Sequence, residues 1–187
     1  MENRQETLTV TFVCCTNDLG ILERTLYASP CIRDGSERLI VHVNARSAAE
    51  AFNTTMEAQR GNGWLVWVHQ DVYLPAGWLS LFRTRLVEAC QRFPRLAVAG
   101  VYGIAGAGDQ ARRAGHVLDR GHLLREPTPL PCLVDSLDEL LVAVRIDTAL
   151  KMDPELGFDF YATDLVLHAR DSGYVSAVID ACCEHRS

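Results

Sequence analysis

Trp64-Leu-Val-Trp-Val-His69-Gln70-Asp71 is an apolar run that stops at a polar triplet, just before Val72-Tyr73-Leu74-Pro75. A strand of a parallel sheet is covered on both faces, so it reads as a continuous apolar segment. In open α/β sheets, ligands bind beyond the carboxyl ends of the strands. The run therefore predicts a buried strand that delivers an imidazole and a carboxylate to the place where a metal ion or a phosphate would be met. On spacing alone, the simpler reading is that His69 and Asp71 cap the strand.

The same grammar recurs on either side. Leu8 to Cys14 is apolar and β-branched until Thr16-Asn17-Asp18 breaks it; Leu19, Leu22 and Leu26 then show helical spacing up to Ser29-Pro30. Leu39 to Val43 is a second strand ending at Asn44. Ser47-Ala-Ala-Glu50 has the form of a capping box, in which the Ser47 hydroxyl takes the Glu50 amide and Glu50 returns to the Ser47 amide. The helix it opens carries Ala48, Ala51, Phe52 and Thr55 on one face and stops near Gly61-Asn62-Gly63. Leu79, Phe82, Leu86, Ala89 and Phe93 trace a further amphipathic helix, and Leu96 to Tyr102 is a fourth strand. A βαβαβαβ order predicts right-handed crossovers and a mostly parallel sheet.

From Gly103 to Pro131 the regularity fails, because glycines and prolines interrupt every window. A long flexible loop is the expectation there. Gly103-Ile-Ala-Gly106-Ala-Gly108 could cradle phosphate through backbone amides, but it matches no named phosphate fingerprint. Beyond it, Cys132 to Leu137 and Leu140 to Arg145 read as strands flanking Asp138-Glu139. Tyr161 to Ser172 reads as a helix with Asp164, His168 and Asp171 on its polar side, and Gly173 stops it before a last strand, Tyr174 to Ile179. The expected organisation is one domain over residues 1–187, with a nucleotide-type α/β half (8–102) and a mixed half (103–187) sharing one sheet.

A chain of 187 residues with 48% hydrophobic and 22% charged residues can bury a full core. A net charge of −6 argues against a general nucleic-acid binder, whose affinity rests on a basic surface. Lys151 is the one lysine among 18 basic residues, and arginine suits phosphate, although a compositional habit explains the bias as well. Met1 to Glu6 is polar without a signal-peptide core, and no run approaches the ~20 apolar residues of a membrane span. Seven cysteines in no zinc spacing read as buried thiols of a reducing, cytoplasmic compartment.

The order of these motifs resembles the GT-A glycosyltransferases, specifically the family 2-like group of short bacterial proteins. The resemblance runs over nearly the whole chain. Val10-Thr-Phe-Val-Cys-Cys-Thr-Asn17 is similar to the first strand and loop that hold the nucleotide base, and Ala51-Phe-Asn53 to the helix with an Asn facing the nucleotide. Trp67-Val-His69-Gln70-Asp71 falls at the DxD-type metal motif. Gly157-Phe-Asp-Phe-Tyr161-Ala-Thr163-Asp164-Leu165 matches the segment bearing the catalytic base, and His185 lies where many members place a final metal-binding His. Two positions depart from the pattern: His69 replaces the first carboxylate of the DxD motif, and Asn44 replaces the acidic residue often found after the second strand. The longer C-terminal extension of many members has no counterpart in this sequence.

The resemblance implies an α/β GT-A fold, with a mixed, mainly parallel sheet flanked by helices. It implies a sugar transfer from a nucleotide-diphosphate sugar to an acceptor hydroxyl, by direct displacement with inversion. Asp164 would be the general base, and Asp71 and His185 would hold Mn²⁺ or Mg²⁺. Thr16, Asn17, Asn44, Asn53, His69 and Gln70 would face the nucleotide, and Asp138 and Glu139 the acceptor. Read as residues alone, Asp164 is an ordinary first-turn carboxylate, Asp138 and Glu139 are equally turn residues or binders of sugar hydroxyls, and Trp78 is core or a stacking platform. A second reading is a non-catalytic nucleotide-sugar or carbohydrate-binding module on the same fold. A plain dinucleotide protein is disfavoured, since Cys14 to Gly20 contains no G-x-G-x-x-G.

Overall fold

The structure, a computed structural model, describes residues 8–59 and 61–186; the polar lead Met1 to Glu6 lies outside the described residues. The chain begins β1 (Val10–Thr16), α1 (Leu19–Arg24), α2 (Pro30–Arg33), β2 (Arg38–Val43), α3 (Ala48–Ala58) and β3 (Trp64–Val68). It continues through β4 (Val72–Tyr73), α4 (Trp78–Arg92), β5 (Leu96–Gly100), β6 (Tyr102–Ala105), β7 (Arg112–Asp119) and β8 (His122–Arg125). The remainder is β9 (Cys132–Leu133), β10 (Ser136–Leu137), β11 (Leu141–Arg145), α5 (Tyr161–Asp171), β12 (Val175–Val178) and β13 (Cys183–His185).

The main sheet has the order β2-β1-β3-β11-β5-β12-β9. Its pairs β1/β2, β1/β3 and β5/β12 are parallel, whereas β11 runs antiparallel between β3 and β5. The mainly parallel expectation holds, with one correction. The α4 crossover does not bring β5 beside β3, because β11 fills the gap and gives β3 a neighbour on each edge. Side chains along β3 alternate between the two faces as a strand requires, and all five are buried. Trp64, Val66 and Val68 enter the core under α1 and α4, while Leu65 and Trp67 enter the core under α3 and α5. Trp67 meets Phe52 and Tyr161 edge-on, at centroid distances of 6.4 and 5.4 Å.

Local chemistry places the ends of the elements. Asp18 caps α1 by accepting from the Gly20 and Ile21 amides at 2.8 and 3.0 Å. The helix is shorter than expected, stopping at Thr25, whose hydroxyl is drawn to the Gln70 carbonyl at 2.5 Å. Pro30 does not merely end a helix; it opens α2 from its first turn, where the missing N–H costs no hydrogen bond. Ser47 caps α3 by accepting from the Glu50 amide at 3.0 Å, and Ala48, Ala51, Phe52 and Thr55 are all buried. Trp78 is core: it stacks on Phe82 at 4.7 Å and donates to the Ala181 carbonyl.

The largest correction concerns Gly103 to Pro131, which is not a flexible loop. It folds into β6, β7 and β8 of a second sheet, ordered β10-β6-β7-β13-β4 with β8 paired to β7. Gly103, Gly106 and Gly115 are positions of close backbone approach. A Cβ on Gly115 would lie 2.1 Å from the Val101 carbonyl oxygen, at a φ of +115°. On Gly103 it would lie 2.4 Å from the Ser136 carbonyl oxygen. The expected strand from Cys132 to Leu137 is likewise divided, β9 joining the main sheet and β10 the second. All seven cysteines are free thiols. No helix among the described residues is long and apolar enough to cross a membrane.

Candidate active site

A cavity of about 430 Å³ opens at the carboxyl ends of β1, β2 and β3. Thr16 and Asn17 follow β1, and Asn44 follows β2 in the left-handed region with a φ of +52°. His69, Gln70 and Asp71 follow β3, and Phe158 and Tyr161 close the far wall. Gln70 ties two of these loops together. Its Oε1 accepts from the Thr16 hydroxyl at 2.5 Å and from the Asn17 and Asp18 amides at 3.3 Å, while its Nε2 donates to Asn17 Oδ1 at 2.9 Å.

A second cavity, of about 330 Å³, lies beside the first and shares His69 as a wall. Asp138, Glu139, Asp159, Phe160 and His185 line it. At the boundary, His185 Nε2 meets Asp71 Oδ2 at 3.3 Å, and the other ring nitrogen, Nδ1, meets Asp119 Oδ1 at 2.8 Å. Strand register creates this chain of three. Antiparallel pairing sets His185 opposite Val72, and parallel pairing with β7 sets it opposite Asp119. On the other side of Asp71, His69 Nδ1 stands 3.9 Å from Oδ1. The Tyr161 hydroxyl holds the back of that ring at 2.7 Å, accepts from Trp67 Nε1 at 3.0 Å and reaches the Glu139 carbonyl at 3.2 Å.

The electrostatics follow from these contacts. The hydrogen bond to Asp71 is the largest influence on His185 and, with Asp119, raises its pKa against the cost of burial. Burial opposes ionisation of Asp71, but the contacts with His185 and His69 together prevail and hold its pKa below the ordinary aspartate value. Burial lowers the pKa of His69 despite the neighbouring carboxylates. Burial, then Asp138 and Asp159, raises that of Glu139.

Among the described residues, no three His, Cys, Asp or Glu side chains form a ready-made metal group. A cation bound to a diphosphate needs few protein ligands, because phosphate oxygens and waters complete its shell. Asp71 Oδ1 is buried with no hydrogen-bond partner among the described residues, and a histidine flanks each side of that carboxylate. These residues fit such a cation.

The structure brings Thr16, Asn17, Asn44, His69, Gln70 and Asp71 to one cavity, and Asp138, Glu139 and His185 to its neighbour. Two candidates lie elsewhere. Asn53 lines neither cavity: its amide exchanges two hydrogen bonds of 2.9 Å with the Met152 backbone. Asp164 accepts from the Asp153 amide at 2.8 Å and His168 contacts the Lys151 carbonyl at 3.0 Å, so their shared helix face pins the segment before α5. Asn53→Ala is therefore expected to cost about 2 kcal/mol of stability, two hydrogen bonds' worth. Nucleotide affinity should stay unchanged; urea unfolding and a nucleotide titration check the two halves.

Sequence reasoning missed Asp119, Tyr161, Asp159 and the pair Phe158 and Phe160. Asp119 sits in the stretch read as a loop, where nothing local marks it. Tyr161 left a weak signal, a hydroxyl at the start of an otherwise apolar helix face.

No family model matches the sequence, and no curated protein matches it. The structure is similar to that of GalNAc-T7 with UDP, GalNAc and Mn²⁺, with a TM-score of 0.62 and 11% identity, over 96% of this chain and 43% of that one. It is similar to A197 from STIV, with a TM-score of 0.54 and 8% identity, over 93% and 83% of the two chains. It is also similar to S. aureus TarS 1-349, with a TM-score of 0.53 and 11% identity, over 95% and 60%. The chain thus spans under half the length of the GalNAc-T7 chain. The fold is GT-A-like.

Proposed function

We propose that this GT-A-like protein transfers a sugar from a nucleotide-diphosphate sugar to an acceptor hydroxyl, with inversion. The observation that carries the reading is the meeting of two cavities at His69, with the Asp71–His185 pair at their boundary. The first cavity would take the nucleotide, with Asn17 and Asn44 offering amide and carbonyl groups to a base or ribose. The second would take the acceptor. Asp71 and His185 would hold Mn²⁺ or Mg²⁺, which when bound neutralises charge on the leaving diphosphate.

The base at the acceptor side is better assigned to Glu139 than to Asp164, which lines neither cavity and whose Oδ2 accepts from the Asp153 amide. Glu139 faces the second cavity, its Oε1 is buried without a partner among the described residues, and its raised pKa suits proton uptake. The acceptor O–H proton passes to Glu139, the oxygen attacks the anomeric carbon, and the bond from that carbon to the diphosphate breaks. Glu139→Gln is expected to lower turnover by about a hundredfold with donor affinity unchanged, whereas Asp164→Asn should leave turnover nearly intact. Because the base must be ionised, the wild-type rate should rise with pH through the raised Glu139 pKa and level off above it. That rise should disappear in Glu139→Gln.

The decisive experiment is incubation with UDP-, GDP- and dTDP-sugars and Mn²⁺, following nucleoside diphosphate release. If no donor is bound or hydrolysed, the reading fails. The second reading, a non-catalytic binding module, is motivated by the lack of a ready-made metal group among the described residues, and it predicts nucleotide binding without any release.

A further inference from the structure

Phe160 sits at a position that folding alone would give to another residue type. It immediately precedes α5, with a φ of +61° and a ψ of +4°, in the left-handed region. Of the described residues other than glycine that share a positive φ, it is the one aromatic. Gly or Asn adopts that conformation with little strain, and a helix-capping position favours Ser, Thr, Asp, Asn or Gly. A bulky apolar side chain meets neither need. Nor does burial offset the strain: Phe160 is 71% exposed, the most exposed large apolar side chain among the described residues. Strain of this kind is retained where it serves a site.

The surroundings say what the ring can do. Phe160 lines the second cavity together with Asp138, Glu139 and Asp159. Among the described residues, none of these three carboxylates forms an ion pair. Asp138 is fixed by accepting from the Leu140 amide at 3.0 Å, and Glu139 Oε1 is buried without a partner among the described residues. The next residue, Tyr161, is buried and hydrogen-bonded to Trp67 and His69, which holds the backbone and keeps the Phe160 ring at the cavity. An exposed aromatic face beside carboxylate oxygens that lack O–H donors matches a pyranose. Its C–H face is apolar and flat, and its hydroxyls radiate from the rim. A hydrocarbon would leave the carboxylates without donors, and an open-chain polyol has no flat face to stack.

Building on the proposed transfer, we infer that the acceptor is a saccharide and that Phe160 is the platform on which its pyranose ring stacks. The residue then sets acceptor specificity: it holds one face of the ring while a hydroxyl at the rim reaches Glu139. The strained turn is the conformation that presents an aromatic ring to the cavity from the first residue of a helix whose next side chain is core.

The test reads binding apart from turnover. Saturation-transfer NMR is recorded on the wild type, Phe160→Leu, Phe160→Trp and Phe160→Asn. The probes are the methyl pyranosides of glucose, galactose, mannose and N-acetylglucosamine, with sorbitol and choline for comparison. Irradiating the aromatic protons should saturate the ring C–H protons of at least one pyranoside and none of sorbitol. Phe160→Leu keeps the apolar character but not the ring, so it should bind that pyranoside about tenfold more weakly, whereas Phe160→Trp should retain it. Phe160→Asn should lose binding as well, yet melt no lower than the wild type, because Asn tolerates the left-handed turn. With UDP-, GDP- and dTDP-sugars and Mn²⁺, Phe160→Leu should raise the acceptor KM and leave the donor KM unchanged. Wild-type pyranoside binding in Phe160→Leu, or a clearly lower melting temperature in Phe160→Asn, would show the ring to be dispensable or structural. Either result overturns the inference and leaves the proposed function standing. Choline signals in place of pyranoside signals would reassign the ring to a cation and overturn it too. Pyranoside binding without nucleoside diphosphate release from any donor would overturn the acceptor role together with the transfer on which it rests.

Discussion

Asp71→Asn is expected to reduce sugar transfer by about a thousandfold, the scale of losing a group that stabilises charge developing in the transition state. The amide fills the same space, so the strand and the loop should be unaffected. What changes is the charge. The neutral side chain offers one weak acceptor to a cation and no counter-charge to His185, whose Nε2 it meets at 3.3 Å in the wild type. Nucleotide binding measured without metal should persist, because Thr16, Asn17, Asn44 and Gln70 approach the first cavity independently of that carboxylate. Removing divalent cations with a chelator should reproduce the loss in the wild type and add little in Asp71→Asn. A variant with near wild-type turnover would exclude Asp71 from the chemistry.

Gly115→Ala is expected to be the most damaging single-methyl substitution in the fold, costing about 3 to 5 kcal/mol. The added Cβ would sit 2.1 Å from the Val101 carbonyl oxygen and 2.8 Å from Tyr102 Cα, at a φ of +115° that alanine does not adopt without strain. Both neighbours are backbone, so neither can swing away. Against a total stability of ~5 to 15 kcal/mol for a domain, the urea midpoint should fall by a large fraction. Gly35→Ala is the control: its φ is +71° but a Cβ there meets nothing within 4 Å, so only the conformational cost of about 1 kcal/mol remains. The effect should also reach the site, since β7 carries Asp119 to the back of His185.

Much of this protein was written in local sequence. The apolar runs became β1, β3 and β5 because burial on both faces demands continuous apolar side chains, and β2 became the half-exposed edge strand. Spacing placed α3 and α4 and their buried faces, and Ser47 marked a helix start through a hydrogen bond spanning three residues. The position of His69, Gln70 and Asp71 at a strand's carboxyl end followed from the same run. Asp164 and His168 were correctly placed on one polar face of α5. The sequence did not say what that face meets: it meets the backbone of residues 151–153, not a cavity.

The rest was decided by contacts between distant segments. Gly103 to Pro131 lacks any hydrophobic periodicity because its strands are shaped by close backbone approach at Gly103 and Gly115, and a glycine chosen for space looks the same as one chosen for flexibility. Asp119 and His185 are 66 residues apart and meet only because β13 is paired parallel to β7 in one register. Tyr161 reaches His69 across 92 residues because α5 packs on the face of the sheet that Trp67 enters. Sequence alone determined the buried runs of β1, β3 and β5 and the polar stop after β3, since periodicity and capping act over one or two turns of chain. Which polar groups face one another across Asp71 was decided by strand register and helix docking, which no local pattern encodes.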